Sequence, residues 1–267
     1  MKILTFGSCL SRYIAHSIMK MRPDAEIIGS VYHNRIDRFV DTYVDKTEQE
    51  LPREFIDRLQ FKPEMEKDAR AIIENQYLSG TLGKHLLNPS VIGFMEGIAS
   101  ADLIMMDNFM DMCAFTLRPI GGGPQIFFND KATNNARDYL EPVGFVSVAT
   151  AARKWERLIE WVRAQNPTAQ IVFTNFPCRH HTNPVIARRT DEFASEFHSD
   201  KCFIHPVVTI PKEDQIQGTL SHFSKRRYDM YAIVILTMTD HDFKLTEEEE
   251  ALWDAAALCQ AADVALD

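Results

Sequence analysis

The sequence predicts an α/β protein: a three-layer α/β/α sandwich around a parallel sheet of about five strands, with a helical insertion. Two observations predict this. Short apolar runs of strand length alternate along the 267 residues with longer amphipathic stretches of helical period. The residues that follow several of those runs are the polar, chemically capable ones, as expected where a parallel sheet gathers its ligands at the carboxyl ends of its strands.

Ile3, Leu4 and Phe6 form the first strand, and Gly7 permits a sharp turn out of it. Ser8 is a helix cap, and Ile14, Ile18 and Met21 share one face of the helix that follows. Cys9 falls in the first turn, where the positive end of the helix dipole favours a nucleophilic thiolate; the competing reading is a small thiol packing the turn. Ala25 to Val31 reads as the second strand, leading into Tyr32-His33-Asn34-Arg35. Gly29 and Ser30 are candidates to turn a backbone N–H toward Cys9, and Asn34 and Arg35 are candidates to meet a substrate.

Residues 46–100 read as a helical block: Glu48 to Leu59, Glu64 to Tyr77, and a shorter helix opened by Asn88-Pro89 and running through Ile98. The block exceeds an ordinary strand–helix connection, so it reads as an insertion over one side of the site or as a partner surface. Ala101 to Met106 is the third strand, and Asn108 at its end can stabilise developing negative charge or make a turn. Asp107 or Asp111 is the alternative polar group there. Residues 112–146 look irregular, with a short strand at Gln125 to Phe128. Gly121-Gly122-Gly123 lacks the spacing of a phosphate-binding loop and reads as a plain loop.

Ser147 to Gln165 is a helix ended by Asn166-Pro167, and Ala169 to Thr174 is the fourth strand. Its exit carries Arg179, His180 and His181. Adjacent histidines cannot share a helix face, so no metal site is expected. Arg179 and His180 are candidates for an anionic ligand such as a CoA or sugar phosphate, against the alternative of a polar surface loop. Ile186 to Phe197 is a helix, Cys202 to Ile204 the fifth strand, and His222 precedes a last core helix bearing Tyr228 and Tyr231. From Leu245 the tail reads as a helix, with Thr246 and Glu249 as a capping box and a face that docks on the core or on a second copy.

Lys and Arg number 29 against 38 Asp and Glu, a net charge of −9 that speaks against a nucleic-acid or anionic-membrane surface. The five cysteines (Cys9, Cys113, Cys178, Cys202, Cys259) are scattered and lack CxxC spacing. They suit a reducing cytoplasm and give neither a zinc nor a disulfide framework. No stretch has transmembrane length or the apolar centre of a signal peptide, so the expectation is one cytoplasmic domain over residues 1–267.

The stretch Phe6 to Ser11, FGSCLS, resembles the FGDSLS block that opens the SGNH/GDSL hydrolase superfamily. Cys9 then stands at the nucleophilic serine and Ser8 at the preceding aspartate. Gly-Ser-Cys is similar to the cysteine-bearing GSCFA-type and WcbI-like capsule-polysaccharide relatives. The resemblance implies an SGNH/flavodoxin-like sheet and a backbone oxyanion donor after the second strand. It also implies an oxyanion role for Asn108, although Met106 and Phe109 replace the glycine and aspartate around it. His222 matches the general base of an Asp-x-x-His block in which Thr219 replaces the aspartate. Asp214, Thr219 or a backbone carbonyl is left to orient it. The implied function is acyl transfer through a cysteine nucleophile, by an acetyl/acyltransferase or esterase acting on a saccharide or related polar acceptor. Acetyl-CoA would be a co-substrate rather than a covalently bound cofactor. The alternative is a non-catalytic carbohydrate- or CoA-binding protein on the same scaffold.

Overall fold

The computed structural model describes residues 1–78, 82–83, 92–217, 219 and 221–240. In chain order the strands are β1 (Lys2–Gly7), β2 (Glu26–Tyr32), β3 (Leu103–Asp107), β4 (Thr116–Pro119), β5 (Leu140–Val143), β6 (Gln170–Thr174) and β7 (Phe203–His205). The helices are α1 (Cys9–Met21), α2 (Ile36–Phe39), α3 (Arg53–Asp57), α4 (Pro63–Glu74), α5 (Phe94–Gly97), α6 (Phe109–Cys113), α7 (Ala136–Tyr139), α8 (Val148–Gln165), α9 (Pro184–Glu196) and α10 (Lys225–Asp240). Five strands form one parallel sheet in the order β2-β1-β3-β6-β7, and β4 and β5 pair separately and antiparallel.

Alternation along each strand builds the three layers. Leu4, Phe6, Ile104, Met106, Ile171 and Phe173 face one side, where Trp155, Leu158 and Ile159 of α8 and Phe193 of α9 cover them. Ile3, Leu103, Met105 and Val172 face the other, under Leu10, Ile14 and Ile18 of α1 and Tyr231, Ala232 and Ile235 of α10. Because both faces are buried, the strands are mostly apolar rather than alternating apolar and polar. Ser147 caps α8 by accepting from the Thr150 N–H at 3.1 Å, and Asn183 caps α9 ahead of Pro184 by accepting from the Val185 N–H.

The block 46–100 is less helical than its charge pattern suggests. Glu48 to Leu59 yields only α3, and Glu64 to Tyr77 yields α4 with Pro63 in its first turn. Leu51, Ile56, Ile73 and Tyr77 instead bury against Leu117, Ile126, Phe128 and Leu140, so the block shares a third apolar cluster with the β4–β5 pair. That pair lies in the segment that reads as irregular. Gln125 to Phe128 is no strand: Ile126 makes a single bridge to Leu117 through two 2.8 Å backbone hydrogen bonds. The opening of the Asn88-Pro89 helix, the tail from Leu245 and Cys259 lie outside the described residues.

The strand order turns back between β1 and β3, since the chain goes from β1 to β2 on one side and then crosses to β3 on the other. In open parallel sheets the crevice at the carboxyl ends of such a pair is where ligands bind. The β1 exit carries Ser8 and Cys9, and the β3 exit carries Asp107 and Asn108.

At the end of β7, His205 is buried, with Nδ1 3.0 Å from the Pro206 carbonyl and its ring against Tyr231. Burial holds its pKa down at about 4, and the nearby Arg227 adds to this. The unfolded chain therefore takes up this proton first as pH falls. The contribution of neutral His205 is whole above pH ~6.5 and is lost between ~6.5 and 4, in total about 3 kcal/mol. Urea midpoints in His205→Gln should fall less steeply than wild type over this window; identical pH profiles would refute the assignment.

Candidate active site

Gly7 makes the site possible. Its φ is 151°, and a Cβ there would lie 2.4 Å from Oδ2 of Asp107. The Asp107 carboxylate thus packs directly on the β1–α1 turn, where Oδ2 accepts the N–H groups of Ser8 at 2.9 Å and Ser11 at 3.1 Å. Oδ1 accepts the Phe109 N–H. Ser8 caps α1 as its residue type predicts, accepting from the Leu10 N–H at 3.1 Å, and it is itself buried.

This geometry reverses one electrostatic expectation. Cys9 is the first residue of α1, but a carboxylate already occupies the positive end of that helix. Cys9 is 2% exposed, and burial first, Asp107 second, push its thiol up to about 12; Arg12 pulls the other way. Asp107→Asn keeps an acceptor for Ser8 and Ser11 while removing the carboxylate. Alkylation of Cys9 by iodoacetamide at pH 8 is then expected to rise about ten-fold or more. An unchanged rate would mean that burial alone sets the thiol.

The Cys9 Sγ donates to the Ser221 carbonyl at 3.3 Å, which brings the residue before His222 onto the thiol. The segment is clamped from both ends. Gln215 bridges Phe223, the Ile216 N–H donates to the His222 carbonyl, and the Ser224 N–H and Oγ both donate to Asp214. Phe223 is buried beside Phe176, and its N–H donates to the Tyr228 hydroxyl at 3.0 Å. The His222 ring stands 6.0 Å from that of Tyr13, and burial, then Arg12, lower its pKa. Asp214 is engaged with Ser224, and the Thr219 hydroxyl donates to the Ile216 carbonyl, so neither is seen orienting His222.

Arg12 and Tyr13 stand three and four residues after Cys9 on the same helix face. The Arg12 guanidinium lies 4.5 Å over the Tyr32 ring and 5.2 Å from that of Tyr13, and the Tyr32 ring stacks on His33 at 3.7 Å. His33, with φ 57°, donates its N–H to the Gly7 carbonyl and folds the β2 exit back over the turn. Arg12, Tyr32 and Tyr228 are close enough for their charges to interact with that of Cys9. The i, i+3, i+4 spacing from Cys9 was the available signal for Arg12 and Tyr13.

Other residues picked from the sequence do different work. β2 continues to Tyr32, so Gly29 and Ser30 lie inside it rather than at its end. Gly29 packs against Gly93 and Leu4, and the Ser30 N–H donates to the Gly83 carbonyl. Arg35 is buried in a two-point ion pair with Asp37 and also donates to Gly144 and Gln125, which commits its guanidinium to the fold. Asn34 is buried and accepts from Arg38. Asn108 is fully buried: its Oδ1 accepts the Phe176 N–H at 2.8 Å, and its Nδ2 faces Asn175 at 3.5 Å. Its amide ties the β3 and β6 exits together and is turned away from solvent. Asp111 binds the Ile36 N–H and Trp155 Nε1. Arg179 is exposed and paired with Asp191, and the side chain of His180 lies outside the described part. Among the described residues, no three His, Cys, Asp or Glu side chains group as metal ligands, and no helix is long and apolar enough to cross a membrane.

No protein-family model matches the chain, and no curated protein matches it. Several solved structures align with it. A lipase, Lip_vut3, from a goat rumen metagenome aligns at 7% identity over 89% of this chain and 96% of its own, with a TM-score of 0.46. The acetyl xylan esterase Est2A of Butyrivibrio proteoclasticus aligns at 13% identity over 91% of this chain and 65% of its own, with a TM-score of 0.40. A family two carbohydrate esterase from Cellvibrio japonicus aligns at 14% identity over 91% and 62%, with a TM-score of 0.42. The chain thus spans somewhat under two thirds of these two esterases.

Proposed function

We propose that this protein transfers acyl groups through Cys9, as an esterase or an acyltransferase toward a saccharide or similar polar acceptor. The observation that carries the reading is the 3.3 Å contact between the Cys9 thiol and the Ser221 carbonyl, which seats the His222 segment on a thiol at the β1–β3 crevice. His222 takes the thiol proton as Sγ attacks the acyl carbon. The tetrahedral oxyanion then collapses to a thioester, and the leaving alcohol or thiol takes the proton from His222. Water or an acceptor hydroxyl, deprotonated by His222, attacks the thioester and returns the thiol. In the first turn of α1 the N–H groups of Ser8 and Ser11 serve Asp107 and that of Leu10 serves Ser8. The N–H of Cys9 is therefore the one this turn offers to the oxyanion. Arg12 adds a cation beside both Cys9 and His222. Acetyl-CoA is the proposed donor for the transferase form, and the FGSCLS resemblance to cysteine-bearing SGNH relatives supports the thioester route.

One observation favours a second reading, a binding protein for a carbohydrate or CoA-like ligand. The thiol is nearly inaccessible and held at about 12. Intact-mass measurement after incubation with acetyl-CoA and activated acyl esters separates the two. The enzyme reading expects an acyl adduct on Cys9 that disappears in Cys9→Ala. Retained CoA or saccharide with no adduct and no turnover would leave the binding protein.

A further inference from the structure

Outside this site the fold brings together two cysteines 65 residues apart in sequence. Cys113 closes α6 and Cys178 opens the turn after β6, and their sulfurs stand 3.3 Å apart with no bond between them. We infer that Cys113 and Cys178 are an oxidisable dithiol that closes to an intrachain disulfide with a small-molecule disulfide as oxidant.

The placement carries the inference. A disulfide needs the sulfurs at about 2 Å, so closure is a movement of little more than 1 Å. Both residues sit in short segments that start just beyond a strand exit. α6 follows Asn108, and the Cys178 turn follows Phe176, which already donates its N–H to Asn108. The disulfide would therefore staple the two exits that this hydrogen bond joins. Cys178 is 1% exposed, whereas Cys113 is partly open, so Cys113 is the sulfur that meets the oxidant. Arg189 holds the end of α6 by donating to the Asp111 and Met112 carbonyls, which sets a cation near the Cys113 sulfur.

The chemistry balances in two exchanges. The Cys113 thiolate attacks one sulfur of the oxidant, forms a mixed disulfide and expels one small thiolate. The Cys178 thiolate then attacks the Cys113 sulfur and expels the second. Two protein thiols lose two protons and two electrons, and the small disulfide is reduced to two thiols. The neighbouring Cys178 sulfur, and then burial, hold the Cys113 thiol well above its ordinary range, so the first exchange is slow at neutral pH and speeds up in alkali.

The test is incubation of the full chain with oxidised glutathione at pH 8.5, followed by intact mass and a non-reducing peptide map. The expected product has lost about 2 Da and links the Cys113 and Cys178 peptides, and dithiothreitol reverses it. Its Tm should lie several degrees above that of the reduced protein, a gain absent from Cys113→Ser and from Cys178→Ser. A map that links other cysteines, or that shows glutathione on Cys113 without closure, overturns the inference. The wild-type map decides even if neither variant folds.

Discussion

Cys9→Ala is expected to lower kcat/KM toward an activated acyl ester by at least about 10³-fold, because under the proposed mechanism the acyl intermediate forms on the Cys9 sulfur. His222→Ala should cost about 10²–10⁴-fold, the usual worth of a positioned base. The free enzyme's activity should climb with pH, since a thiol held at about 12 is scarcely ionised at neutrality. Substrate that displaces the Ser221 carbonyl from the thiol would hand the proton to His222, so a titration near neutrality appearing only under saturating substrate would mark that rearrangement. Wild-type rates in Cys9→Ala would remove the thiol from the chemistry and leave the binding reading.

Gly7→Ala is expected to destabilise the fold by about 3 kcal/mol or more. The added methyl meets the Asp107 carboxylate at 2.4 Å and its backbone oxygen at 2.9 Å, on a backbone with φ 151°. Backbone oxygen cannot swing aside as a surface side chain would. Moving Asp107 also strips the Ser8 and Ser11 N–H groups of their shared acceptor. Urea denaturation of the two proteins measures this, and a loss below about 1 kcal/mol would show that the turn relaxes readily. Cys9 alkylation in the same variant should change as well, because the carboxylate that opposes thiol ionisation has been displaced.

Much of the framework was legible in the residues. Apolar runs flanked by turn residues locate all five parallel strands to within two residues at each end, and Ser8 and Ser147 mark helix starts. The antiparallel β4–β5 pair was not legible. Its strands are four residues each, each carries a proline (Pro119 and Pro142), and both bury residues against the 46–100 block. Charged amphipathic stretches overstated the helix there for the same reason: Leu51 and Ile56 bury in one cluster with Leu117 and Ile126, which are distant in sequence.

The candidate site divides along the same line. The strand–Gly-Ser-Cys–helix turn is local: Gly7, the Ser8 cap and the apolar face of α1 are all set within a few residues, so the start of a helix at Cys9 on the sheet's carboxyl edge is written in that stretch alone. The contacts that reach the thiol and its turn from 96 to 212 residues away are products of the fold: Asp107 seated on the turn and the Ser221 carbonyl on the sulfur. A helix dipole can be read from a segment. The charge that cancels it, or the partner that locks Arg35 into the fold, depends on which strand exits the sheet order places side by side, and that order is set by burial across the whole chain.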